Sequence, residues 1–141
     1  FVSDEDFQTR IKEDAFLEWI EQDGGNFYGT LKAEILAPME RGDVVIREVE
    51  VLGVHAIKKL IPLKNLTVIF INADSWEILQ KRIQARAPIS DTELLKRRER
   101  YERERLFVSE ADVVVENYEG ALGEAKQQLK DAVQKIIDSV A

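Results

Sequence analysis

The sequence contains no cysteine, one histidine, three prolines and seven glycines among its 141 residues. The absence of cysteine excludes disulfide scaffolds, thiol nucleophiles and cysteine-based zinc sites. The one histidine, His55, is interpreted as a helix-surface residue rather than a catalyst, so a Ser-His-Asp site has no spare histidine. Because proline and glycine are few and 45% of the residues are apolar, we expect one globular domain with a packed core. The lack of cysteine favours a cytoplasmic protein.

Long apolar runs and an excess of basic charge are also absent. No apolar stretch approaches the ~20 residues that a bilayer span requires, so no membrane partner is expected. The net charge of -7 opposes binding of a nucleic acid polymer, whose phosphates attract basic surfaces. The sequence begins with Phe1 instead of methionine, so we expect a fragment, a processed form or an incomplete sequence.

Helical and strand patterns alternate along the chain. Ser3 and Ser90 are each followed three positions later by an acidic residue, as in a capping box, while Pro38 is expected to interrupt one helix and Pro88 to end another. The predicted helices span residues 4–12, Thr30 to 41, 54–61, Asp74 to 86, Ser90 to 107 and 119–139. The predicted strands span residues 16–20, 44–51, 67–71 and 112–116, with a turn at 24–26. The run 67–71 is apolar enough to predict a strand covered on both faces, and the alternation predicts an α/β fold with a parallel sheet wrapped by helices.

Basic residues concentrate between positions 81 and 105, against the overall acidic balance. Arg82 and Arg86 lie four apart on a predicted helix and share one side of it, and the break before the next helix allows Arg97 to approach them. Three guanidinium groups would form a phosphate clamp, because each makes paired, charge-assisted hydrogen bonds to phosphate oxygens. The alternative, favoured for residues 98–105, is a solvated helix surface with salt bridges.

Carboxylates within apolar strands are the second signal. Glu18 lies between Leu17 and Trp19, and Glu48 and Glu50 are expected to share one face of a strand. A carboxylate has two acceptor oxygens, which suit two adjacent donors such as the N1–H and N2–H of guanine. The alternative is that these carboxylates lie on a solvent-facing strand edge. Trp19 and Trp76 are interpreted as packing residues.

Taken in order, several segments resemble the guanylate kinase family, and the resemblance covers essentially the whole chain. The most specific is Gly25-Asn26-Phe27-Tyr28-Gly29-Thr30 following Phe16-Leu17-Glu18-Trp19. The others are Phe1-Val2-Ser3 with Phe7, Glu48-Val49-Glu50-Val51-Leu52-Gly53, Arg82 to Arg86, Arg97 and Val115-Glu116-Asn117.

The resemblance implies a nucleoside monophosphate kinase fold and phosphoryl transfer from ATP to GMP with Mg²⁺. It implies that Glu18 accepts from guanine N1 and N2, that Thr30 reaches guanine O6 and that Tyr28 holds the GMP phosphate. It places Glu48 and Glu50 with the GMP-binding residues, and Glu50 with the water shell of the metal. The arginines Arg82, Arg86 and Arg97 would surround the transferred phosphoryl group, and Asn117 would lie near adenine.

The resemblance also divides the domain into parts: a GMP-binding part at about 1–42, a lid at 75–107, and a core formed by 43–74 with 108–141. The sequence departs from the family by lacking any G-x-x-x-x-G-K-[ST] motif to bind the ATP phosphates, and by having Glu50 for an aspartate and Leu52 for a glutamine. We therefore expect this chain to be inactive alone, and its sheet to need a strand from upstream sequence or from another chain. The alternative function is that of the non-catalytic guanylate-kinase-like domains, which bind phosphorylated partner peptides.

Overall fold

The computed structural model describes residues 2–22 and 25–140, which form two compact units divided after Leu66. The elements of the first unit are α1 (Asp4–Lys12), β1 (Phe16–Gln22), β2 (Asn26–Leu31), α2 (Lys32–Glu40), α3 (Val51–Leu60) and a 3₁₀ turn (Leu63–Asn65). Helix α1 begins as predicted, because the Ser3 hydroxyl accepts a hydrogen bond from the Asp6 N–H at 3.1 Å and satisfies a donor left open at the helix start.

Strands β1 and β2 form an antiparallel hairpin, as their aromatic and β-branched residues favour. The register pairs Glu18 with Thr30 and Trp19 with Gly29. Gly25 adopts a φ of +79°, which glycine reaches without steric cost, so this part of the predicted turn is confirmed, while Gly24 lies outside the described residues.

The core of the first unit lies where α2 and α3 cover one side of the hairpin. Leu17, Ile35, Ile57 and Ile61 form one buried cluster. Burial of side chains of this size contributes roughly 1.5–3 kcal/mol each. A second contact stacks the ring of Phe7 on that of Phe16 with centroids 4.4 Å apart, which ties α1 to the hairpin.

Three predictions for the first unit are wrong. Residues 44–50 form no strand. A segment rich in β-branched residues forms a strand only where a neighbouring strand can pair with its backbone N–H and C=O groups. Thr30 is not a helix cap: it lies within β2, paired with Glu18, and the cap of α2 is Leu31. Pro38 does not interrupt α2, which continues to Glu40, since proline near the end of a helix removes only one backbone hydrogen bond.

The second unit alternates strand and helix. Its elements are β3 (Ile69–Ala73), α4 (Trp76–Arg86), α5 (Asp91–Glu104), a 3₁₀ turn (Arg105–Glu110), β4 (Val113–Asn117) and α6 (Leu122–Val140). Strands β3 and β4 pair in parallel, with Ile69 opposite Val113 and Ala73 opposite Asn117. The parallel pair and its helices confirm the predicted α/β class, whereas the hairpin of the first unit is antiparallel.

Burial in the second unit departs from the sequence prediction at β3. Val115 of β4 is 1% exposed, but Ile71 of β3 is 55% exposed, so the expectation of a strand covered on both faces is wrong. Trp76 is buried as expected for a packing residue, whereas Trp19 in the first unit is exposed. Across residues 2–22 and 25–140, no helix combines the length and apolar character needed to cross a membrane.

Candidate functional site

A carboxylate and a hydroxyl meet on the hairpin of the first unit. Glu18 and Thr30 are register partners on β1 and β2, and the Thr30 hydroxyl donates to Glu18 Oε1 at 2.6 Å. Thr30 is 1% exposed, whereas Glu18 is half-buried and has surface left for a ligand. The structure therefore brings together two of the residues that the sequence nominates for guanine binding.

Two further residues adjoin this pair, and sequence reasoning missed both as site residues. Arg47 donates from Nε to Thr30 Oγ1 at 3.2 Å. Gly53, buried in the first turn of α3, approaches Glu18 so closely that a Cβ there would lie 3.1 Å from Oε2. Both lie more than fifteen positions from their partners in sequence, so no local pattern signals the contacts.

The other residues nominated for GMP also lie in the first unit. Tyr28 is on β2 and 51% exposed. Glu48 is exposed and Glu50 is half-buried at the N-terminal cap of α3. Because residues 44–50 form no strand, the prediction that Glu48 and Glu50 share a strand face is wrong. His55 is exposed on α3, as a helix-surface residue should be.

In the second unit, polar groups collect at the carboxyl ends of β3 and β4, the edge where open α/β sheets bind ligands. Both terminal nitrogens of Arg82 donate to the carbonyl oxygen of Asn117, each at 3.2 Å. Arg82, expected at the transferred phosphoryl group, and Asn117, expected near adenine, are thus in direct contact. Asp74 lies beside them: its carboxylate accepts from the Glu119 N–H and its carbonyl from the Tyr101 hydroxyl.

Acidic side chains at this edge change the pKa of the Tyr118 hydroxyl. The neighbouring Glu116 carboxylate raises the pKa of the Tyr118 hydroxyl, because ionisation would place two negative charges side by side. Glu116 itself accepts a hydrogen bond from the Asn72 amide at 2.9 Å. The phenol therefore ionises less readily than an ordinary tyrosine hydroxyl.

Arg86 and Arg97 lie on the two helices that a four-residue break separates, α4 and α5. Arg86 is the last residue of α4 and is exposed. Arg97 pairs with Glu93 at 2.9 Å along α5, an exposed ion pair of small energetic value. Arg97 also lines an open pocket of about 240 Å³ with Arg100 and Tyr101 of α5.

Among residues 2–22 and 25–140, no three histidine, cysteine or acidic side chains are close enough together to bind one ion. A magnesium ion that is held mainly through phosphates needs only one or two protein carboxylates, and single carboxylates are present in this part of the chain.

Comparison with known proteins gives a consistent family. The family model described as guanylate kinase matches residues 1–136. Guanylate kinase from Synechocystis sp. is 37% identical over 117 residues, covering 83% of this chain and 60% of that protein. Guanylate kinase from Thermotoga maritima is 29% identical over 140 residues, covering 99% of this chain and 62% of that protein. The chain thus spans about three fifths of the length of these relatives.

The fold has a counterpart among solved structures. The crystal structure of guanylate kinase from Anaplasma phagocytophilum aligns with a TM-score of 0.64 and 19% sequence identity, covering 96% of this chain and 63% of that one. This likeness supports the nucleoside monophosphate kinase-like α/β fold.

Proposed function

Since the chain belongs to the guanylate kinase family, we propose that it forms the GMP-binding and arginine-bearing part of an enzyme that transfers a phosphoryl group from ATP to GMP. The products are ADP and GDP. The cytoplasmic location expected from the sequence and the division into GMP-binding, core and lid parts stay predictions.

The Glu18–Thr30 pair is the observation that carries this proposal. Guanine presents two donors, N1–H and the 2-amino group, beside the acceptor O6. A half-buried carboxylate accepts from both donors, and the Thr30 hydroxyl, which donates to the same carboxylate, holds it in place. Adenine lacks the N1–H and the 2-amino group, so it would offer the carboxylate neither of these donors, and a hydrogen-bonding group left unpaired on burial costs roughly 1–3 kcal/mol.

Transfer of the phosphoryl group is assigned to the arginines. The phosphate oxygen of GMP attacks the γ-phosphorus of ATP in line, and the bond to the β-phosphate oxygen breaks. This reaction needs positioning and positive charge on the equatorial oxygens instead of a protein nucleophile, which suits Arg82, Arg86 and Arg97. Tyr28 holds the GMP phosphate, and Asn117 lies near adenine.

Mg²⁺ supplies charge neutralisation on the ATP phosphates when it is bound. Glu50 stands where the family has an aspartate, and we assign it to the water shell of that ion, with Glu48 beside it. The sequence has no G-x-x-x-x-G-K-[ST] segment, so the 141 residues alone are expected to be inactive.

The test is GMP binding to the chain, measured by calorimetry for the wild type, Glu18→Gln and the control Glu21→Gln. Glu21 is an exposed carboxylate on the same strand. We expect Glu18→Gln to weaken GMP at least tenfold, about 1.4 kcal/mol, and Glu21→Gln to have no effect. Equal binding of GMP by all three proteins, or equal binding of GMP and AMP by the wild type, would contradict the proposal.

The missing phosphate-binding motif favours a second function, that of a non-catalytic domain that binds a phosphorylated peptide. A peptide ligand offers no guanine edge to Glu18. Competition distinguishes the two functions: the proposed enzyme part releases a fluorescent GMP analogue when GMP is added, whereas a peptide-binding domain retains a labelled phosphopeptide in the presence of excess GMP.

A further inference from the structure

Arg47 completes a chain of hydrogen bonds whose direction is fixed by chemistry. A guanidinium has only donors and an ionised carboxylate only acceptors. Arg47 Nε therefore donates to Thr30 Oγ1 at 3.2 Å, and the single Thr30 hydroxyl proton is directed at Glu18 Oε1, 2.6 Å away. In this arrangement the Thr30 hydroxyl has no second proton for a ligand.

Thr30, Glu18 and Arg47 differ in how accessible they are to a ligand. Thr30 is 1% exposed, Glu18 is half-buried and Arg47 is exposed. The acceptor and the donor that a ligand can reach are thus the Glu18 carboxylate and the Arg47 guanidinium, with the Thr30 hydroxyl beneath and between them.

We infer that Arg47 is a guanine-binding residue that donates to O6 and N7 while Glu18 accepts from N1–H and the 2-amino group. The inference rests on the proposed function and deepens it. Bonding to Thr30 uses one of the five N–H donors of the guanidinium, and the planar fork of arginine matches the paired O6 and N7 acceptors of guanine. Thr30 then acts as a positioning residue that holds the Glu18 carboxylate and the Arg47 guanidinium in register.

Calorimetry with GMP and 7-deaza-GMP, which lacks the N7 acceptor, tests this role. We expect the wild-type chain to bind GMP about tenfold more tightly than 7-deaza-GMP, the usual discrimination of a bidentate arginine–guanine contact. Arg47→Leu should weaken GMP about tenfold and abolish the preference. Arg47→Lys should also lose the preference, because its point charge cannot form the fork.

The matched control is Arg41→Leu, since Arg41 is exposed and paired with Asp43 in its own turn; it should leave both affinities unchanged. If Arg47→Leu weakens GMP and 7-deaza-GMP equally, Arg47 binds the phosphate or only supports the fold, and the inference is overturned. Should Arg47→Leu unfold, as circular dichroism would reveal, Arg47→Gln provides the same comparison.

Different results would contradict GMP binding by the chain and the contact of Arg47 with guanine. Glu18-dependent binding of GMP with no preference over 7-deaza-GMP in the wild type would overturn the role of Arg47 alone. Absence of GMP binding in the wild type would overturn the proposed function, and the role of Arg47 with it.

Discussion

At the scale of single residues, the candidate guanine site depends on how closely α3 approaches β1. Gly53 lies in the first turn of α3 against the Glu18 side chain, where a Cβ would be 3.1 Å from Oε2 and 3.3 Å from Cδ. These separations are shorter than an ordinary van der Waals contact, so any larger residue would displace the carboxylate. Glycine at this position therefore sets the position of Glu18.

The substitution Gly53→Ala distinguishes an effect on GMP affinity from an effect on the thermal stability of the fold. Alanine is favoured over glycine in a helix by up to about 1 kcal/mol, so the melting temperature should stay the same or rise. The displaced carboxylate should weaken GMP about fivefold, the equivalent of about 1 kcal/mol. Calorimetry and thermal melting measure the two quantities on the same sample.

Gly123→Ala is the matched control, because Gly123 is also near the start of a helix and a Cβ there would meet nothing within 4 Å. It should gain the same helix stability without any change in GMP affinity. Unchanged GMP binding in Gly53→Ala would mean that the position of Glu18 does not depend on Gly53.

The residues of this site differ in how far the sequence could predict them. Glu18 and Thr30 came from a resemblance in ordered motifs, and the structure places them as register partners. Arg47 and Gly53 join the same cluster only through the loop that carries residues 44–50 and through the packing of α3. Contacts between residues this far apart in sequence depend on the tertiary structure, so no local sequence pattern predicts them.

At the scale of elements, the two helix starts with serine caps were predicted correctly, whereas the start of α2 and one strand were not. The predicted serine caps of α1 and α5 are confirmed, with Ser3 and Ser90 accepting from backbone N–H groups three residues on, at 3.1 and 3.2 Å. A cap is completed within four residues of sequence. A strand at 44–51 needed a partner strand, and its apolar, β-branched residues could not reveal that none pairs with it in the described part of the chain.

The start of α4 gives a pH-dependent prediction. The backbone N–H of Glu77 and the Ser75 hydroxyl donate to the Glu77 carboxylate and hold its pKa below the ordinary value. A lowered pKa in the folded state means that the charged form stabilises the helix start at neutral pH, and that this contribution is lost as the pH falls through the lowered pKa. Stability should therefore decrease on acidification below the ordinary range for glutamate.

Carboxyl resonances followed by NMR measure the pKa of Glu77 directly. Glu77→Gln should remove this part of the pH dependence of thermal stability while leaving the neutral-pH fold intact. A Glu77 carboxylate that titrates at its ordinary value, or identical pH profiles for the two proteins, would contradict the capping role.

At the scale of the whole molecule, the parallel sheet of the second unit has only two strands in the described part of the chain. In the described part of the chain, β3 pairs only with β4 and β4 only with β3, so each strand has an open edge. Unpaired backbone groups at such an edge are templates for another strand. The exposed Ile71 of β3 adds an apolar surface that would favour the same contact.

We therefore predict that the purified 141-residue chain self-associates through β3 and β4 at micromolar concentration. An edge left open would reduce a net stability of only ~5–15 kcal/mol, and pairing with a second strand recovers the missing hydrogen bonds. Ile71→Lys should reduce association in sedimentation velocity, because a charged residue opposes strand pairing. Leu95→Lys, an equally exposed apolar position on α5, should not. A wild-type chain that is monomeric at all concentrations and unfolds in one cooperative transition would show that these edges need no partner strand.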